Sequence, residues 1–264
     1  MPERIISCAA LLAIALVSPV GECWLEPDKF RYAIGEEIKI DFLTGENFVG
    51  ERWDGKENRA VLVQWFSVSG MKDLSEEAKT EPGNQLKVKI LGEGTQMVVM
   101  GTNTLTRDWE AGKFKAYLED NGLEGLAGAG RKGADPEEPA GEEYTRYAKL
   151  LVQTGEKTDD TYKQKAGLRL EIIPEKNPYT LRTGDHLQCL VLYEGKPVPH
   201  SLVKVWSRLS RTTFLQTMYT EDDGTIRFPV STKGGWMVST VKMVPAEKPG
   251  RGWHSLWGSL VFGI

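Results

Sequence analysis

Cysteine and histidine are scarce, with three of each in 264 residues. Cys8, Cys23 and Cys189 are too few for a disulfide framework. His186, His200 and His254 stand singly, without the paired spacing that histidine metal sites show. A basic excess is missing as well. The 33 Lys and Arg are interleaved with 37 Asp and Glu for a net charge of −4, which argues against nucleic acid and anionic membrane surfaces as partners. Catalytic motifs are also lacking. Ser201, Ser207, Ser210 and Ser255 have no nucleophile-elbow glycines, and Gly128-Ala129-Gly130 is not followed by the Lys-Ser/Thr of a phosphate loop. The chain is not expected to be an enzyme.

Long apolar runs are limited to Ile5–Val17, which is about thirteen residues, whereas a membrane-crossing helix needs about twenty. Arg4 precedes the run. That pattern predicts a signal peptide over residues 1–21, cleaved between Ser18 and Cys23, and a mature chain that is periplasmic or secreted and does not span the membrane. Cys189 falls in phase with Leu187 and Val191 and reads as a small buried hydrophobe, so no bridge to Cys23 is expected.

What is present is period-2 alternation. Ile38, Ile40 and Phe42 alternate with Lys39 and Asp41, the signature of a half-buried strand. Similar stretches lie at 60–68, 85–90, 96–101, 147–153 and 168–173. One helix is predicted over Trp109–Asn121, with Phe114, Tyr117 and Leu118 as a stripe for packing on a sheet and Asn121-Gly122 as the stop. Residues 124–143, rich in Gly, Ala, Pro and charge, read as a long loop. A second set of strands follows at 186–193, 202–208, 214–219, 225–230, 236–244 and 257–262. Turn chemistry separates them at Glu194-Gly195-Lys196-Pro197 and Glu221-Asp222-Asp223-Gly224. The expected fold is therefore all-β, as two tandem β-sandwich-like domains: 22–174 with one helix, and 178–264. Pro174 and Pro178 should stiffen the junction and leave a cleft between the halves, with the 124–143 loop as its lid.

An ordered series carries a resemblance: Cys23-Trp24-Leu25-Glu26-Pro27, Gly45-Glu46-Asn47-Phe48-Val49-Gly50, Tyr144-Thr145-Arg146-Tyr147, Gly167 to Pro174, Asn177-Pro178-Tyr179, Gly195-Lys196-Pro197, Asp223-Gly224 and Trp257 to Phe262. Together these resemble an exported bacterial family of poorly known function, often labelled as the periplasmic component of nickel or cobalt uptake (NikM-like). Its second domain is similar to transthyretin-like and carboxypeptidase-regulatory sandwiches. The resemblance implies a binding or accessory protein for nickel or cobalt, with a divalent metal ion or a transporter component as partner. The family pattern opens its mature chain with His-Glu-Phe-Trp, and imidazole beside a free amine suits late divalent metals. Here the segment reads Gly21-Glu22-Cys23-Trp24, so the histidine is absent and that site does not carry over. Glu22, Cys23 and His254 remain the candidate metal ligands, while a thiol packed beside Trp24 is the plainer reading of Cys23. The alternative class is a structural or adhesion-like sandwich binding a protein or polysaccharide, for which a surface patch formed by some of the eight tryptophans would speak.

Overall fold

The computed structural model describes residues 21–80, 83–126, 140–248 and 252–264. Residues 1–20 of the predicted signal peptide and residues 127–139 of the predicted loop lie outside them, whereas Gly21 is described. The described chain is all-β and sandwich-like, built as three layers around one large sheet. That sheet has ten strands, running in space Thr212–Tyr219, Leu202–Leu209, Gly235–Pro245, Trp253–Gly263, Ala140–Thr154, Gly94–Thr102, Ala60–Ser67 and Gly70–Asp73, with the short Arg31–Tyr32 and Leu105–Trp109 also paired to Ala140–Thr154. A four-stranded sheet of Glu22–Pro27, Glu37–Glu46, Val49–Arg52 and Gln85–Lys89 covers one face, and a second of Leu170–Pro174, His186–Tyr193, Lys196–Pro197 and Thr225–Pro229 covers the other.

The central strands are apolar on both sides, and successive residues feed opposite cores. Val98 and Met100 point to the first small sheet, Met97 and Val99 to the second. Leu150 and Val152 divide from Leu151 in the same way, and Val261 from Leu260 and Phe262. Strict alternation of side chains in a strand makes this unavoidable once both faces are covered.

The large sheet runs across the expected boundary at 174–178. Trp253–Gly263 pairs in parallel with Ala140–Thr154, in the register Glu142 to Trp253 through Leu150 to Val261. The junction is itself packed structure. Pro174 ends a buried strand paired with Cys189, and Tyr179 is buried with its hydroxyl donating to the Leu151 carbonyl at 2.6 Å.

The predicted helix forms over Ala111–Asp120. Tyr117 and Leu118 are buried in a third cluster with Trp109, Val241, Met243, Trp253 and Trp257. Trp109, expected inside the helix, ends the preceding strand instead. Because Trp253, Trp257 and Val261 alternate onto one face, the helix lies on the same face of the large sheet as the first small sheet. The cleft described next lies between the two.

Candidate functional site

The floor of the cleft is the large sheet. Leu202, Lys204 and Trp206 alternate with Val203 and Val205, which face the opposite core, and Trp257, Leu215 and Thr217 complete it. One wall is the helix, through Lys113, Ala116, Tyr117, Asp120 and Asn121. The other is the rim of the small sheet, formed by Gly21, Glu22, Gly45, Glu46 and Asn47. The open cleft has a volume of about 670 Å³, within the range of small-molecule sites. It draws on both halves of the sequence, and no linker creates it.

Glycine shapes that rim. A side chain at Gly45 would bring its Cβ to 2.2 Å from the Val49 carbonyl oxygen, and one at Gly21 to 1.8 Å from that of Gly45. Between them the hairpin tip Asn47-Phe48 takes positive φ, 57° at each. Residue 21 thus leaves no room for a side chain without a backbone shift.

Two buried carboxylates flank the cleft. Glu22, 5% exposed, accepts the Trp206 indole N–H at 2.9 Å and the Ser239 hydroxyl, both on Oε1. Its Oε2 receives no donor among the described residues. Burial holds its pKa above the ordinary 4.5, against the lowering effects of Ser239, Trp206 and Lys204. Glu142, 1% exposed, lies beneath the aromatic wall. Trp109 and Tyr117 donate to it, and Arg107 stands 3.9 Å away. Burial again raises its pKa, opposed by Ser255, Arg107 and Trp109. Trp109 and Tyr117 stack with ring centroids 4.7 Å apart, and Tyr117 leans on Trp257 at 6.0 Å. Lys204 Nζ donates to Asn121 Oδ1 at 3.3 Å, tying the floor to the helix end.

The sequence-predicted ligands do not converge. Cys23 is buried in the core beneath the first small sheet, its carbonyl accepting Ser259 Oγ at 2.6 Å, and burial pushes its thiol up to about 11. His254 alternates onto the opposite face of the large sheet, where Nε2 lies 2.9 Å from Thr145 Oγ1. Burial lowers its pKa, with Arg169 contributing. Only Glu22 reaches the cleft. Among the described residues no three His, Cys, Asp or Glu side chains are grouped as a metal ion requires, so these residues do not fit nickel or cobalt. Cys23 and Cys189 are both free and buried, as the phase of Cys189 predicts. Asp223 serves a turn, accepting Thr225 N–H at 2.9 Å. All eight tryptophans are 8% exposed or less, so they form no surface patch.

Sequence reasoning missed Trp206, Lys204, Ser239 and Glu142 as site residues. Glu142 stands in what read as loop, and the other three carry no motif. The available signal was spacing: Leu202, Lys204 and Trp206 share one face of a strand whose other face is Val203 and Val205.

No curated protein matches the sequence. Among solved structures, the chain is similar to a tetra-tandem repeat in the extending region of a large adhesion protein, at 11% identity and a TM-score of 0.25, covering 92% of this chain and 49% of that one. It is also similar to dimeric latent PorU from Porphyromonas gingivalis, at 12% identity and a TM-score of 0.18, covering 92% of this chain and 20% of that one. The chain thus spans half or less of each of these two. No helix among the described residues is long and apolar enough to cross a membrane. Over residues 22–243 the sequence matches the family described as a domain of unknown function, DUF4198, and the chain belongs to that family.

Proposed function

We propose that this protein is a non-catalytic binding protein acting outside the cytoplasm, and that it takes a saccharide in the cleft between helix Ala111–Asp120 and the rim of the first small sheet. The observation that carries the reading is Glu22. Its carboxylate is nearly buried at a cost of several kcal/mol for an unpaired charge, yet among the described residues both donors use one oxygen, and the residue lines the cleft. A ligand hydroxyl supplies the missing donor. Around it, Trp206, Trp257 and Tyr117 line the cleft with the 6%, 8% and 6% of their surfaces left exposed, while Asn47, Asp120 and Thr217 offer partners for further hydroxyls. Metal delivery, the activity implied by the resemblance, has no ligand set to rest on among the described residues.

Titration followed by tryptophan fluorescence and calorimetry tests this, using a panel of neutral and acidic oligosaccharides in one arm and Ni²⁺ and Co²⁺ in the other. The expected result is saturable saccharide binding that Glu22→Ala weakens about tenfold or more, the loss of a charge-assisted hydrogen bond. Stoichiometric nickel or cobalt binding with no response to any saccharide would overturn it in favour of metal delivery.

A further inference from the structure

Sheet edges present unpaired N–H and C=O groups, and proteins blunt them with charge, proline or short length. Most exposed edges here follow that rule. Gly70–Asp73, at one margin of the large sheet, has four residues including Lys72 and Asp73. Val49–Arg52 carries Glu51 and Arg52, Gln85–Lys89 carries Lys87 and Lys89, and Thr225–Pro229 carries Arg227 and Pro229. The opposite margin of the large sheet breaks the rule. Thr212–Tyr219 (TTFLQTMY) is eight residues long with no charge and no proline, and among the described residues it pairs only with Leu202–Leu209. Phe214, Leu215 and Tyr219 are 53%, 46% and 54% exposed on it.

Charge at the two ends of this strand says what covers it. Arg211 precedes it, and Glu221, Asp222 and Asp223 follow it, all exposed. A parallel neighbour of the same sequence would set like charges together, whereas an antiparallel one sets the basic end against the acidic end. We infer that Thr212–Tyr219 is the docking edge for a second copy of this chain, joined antiparallel about a two-fold axis perpendicular to the sheet.

The axis restricts the register, and the charges at the strand ends select within it. Such a rotation preserves sheet faces, so opposed residues must come from the same face. Pairing centred on Gln216 meets that condition. It sets Arg211 opposite Glu221, Phe214 opposite Met218, Leu215 opposite Thr217, and Thr213 opposite Tyr219. The register Trp206 to Leu215 places Leu215 on the cleft face, so the two clefts open on the same side of one continuous sheet, with the row of Leu215 and Thr217 between them.

Sedimentation equilibrium of the purified protein tests the inference. A concentration-dependent dimer is expected. Phe214→Lys should leave a monomer whose circular dichroism and unfolding midpoint match the parent. Arg211→Glu should weaken the dimer about tenfold by opposing Glu221 at both ends of the strand pair, and adding Glu221→Arg should restore it. Gln216→Cys, on the axis where opposed Cα atoms in an antiparallel pair lie about 4.5–5.5 Å apart, should cross-link to its own copy on oxidation. A protein that stays monomeric, a dimer indifferent to Phe214→Lys and Arg211→Glu, or a double variant weaker than Arg211→Glu alone would overturn it.

Discussion

Glu171 and Glu22 are both buried carboxylates packed against the large sheet, one on each face, and they are treated oppositely. Glu171 is closed. It accepts Lys149 Nζ at 2.9 Å, Ala166 N–H at 2.7 Å and Gly167 N–H at 3.2 Å, while the same ammonium also donates to the Gln164 carbonyl. Glu22 keeps one oxygen without a donor among the described residues, and it lines a cleft. A charge satisfied from within holds parts of the chain together, and here it joins the central strand Ala140–Thr154 to the second small sheet. A charge left half-satisfied beside a cavity is a place for something else to bind.

The largest effect that would break this contrast is expected from Lys149→Met. Removing the ammonium strands a charge at Glu171 that is 3% exposed, and breaking a buried pair costs about 3–5 kcal/mol. Urea unfolding should show a loss of unfolding free energy of that order, and recovery in Lys149→Met/Glu171→Leu would show that the stranded charge is the cause. An unchanged midpoint for the single variant would erase the distinction between the two sites.

Glu22→Gln is expected to act on the open site alone. The amide oxygen can still accept from Trp206 and Ser239, so the fold should hold while saccharide affinity falls about tenfold. For the parent, affinity should rise with pH as Glu22 ionises, through a range above the usual carboxylate pKa because burial raises it. A flat pH profile between mildly acidic and neutral pH would detach Glu22 from binding.

Glu142 sharpens the comparison, since it is buried and raised but already served by Trp109 and Tyr117. Its pKa is higher folded than unfolded, so its stabilising contribution is complete below the ordinary 4.5 and is lost as pH rises through the raised value. Glu142→Gln should therefore unfold at a higher temperature than the parent at neutral pH, an advantage that shrinks toward pH 4. The smallest effect concerns the thiols. Burial pushes Cys23 up to about 11 and Cys189 higher still, so a thiol reagent at neutral pH should label neither until denaturant is added.

Much of the fold was legible because strand periodicity is local. His186–Tyr193 forms as read, and Glu37–Glu46 buries Ile38, Ile40 and Phe42 as its alternation requires. Met97 to Met100, an unbroken apolar run, also carried the sign of a strand buried on both faces, and hence of a sheet shared by two cores. The extent of Ala140–Thr154 was hidden, because its first residues, Gly141-Glu142-Glu143, carry glycine and acid that resemble loop composition. The partners of Glu142 and Glu143, Trp253 and His254, come from the far end of the sequence. The site was less legible for the same reason. Glu22 was singled out as a metal ligand, but its surroundings are set by Trp206 and Ser239, and no spacing rule joins residues brought together only by the sheet.

The order of strands in the large sheet also constrains when the protein can fold. Gly94–Thr102 and Ala140–Thr154 sit beside each other early in the sequence, but the neighbour that links them to Gly235–Pro245 and Leu202–Leu209 is Trp253–Gly263, last of the strands in sequence and near the middle of the sheet in space. Until that segment arrives, each flank of the sheet ends in an apolar strand with nothing beside it. Assembly of this kind has high contact order and is slow. The two flanks therefore cannot join into one sheet until Trp253–Gly263 has docked between Ala140–Thr154 and Gly235–Pro245.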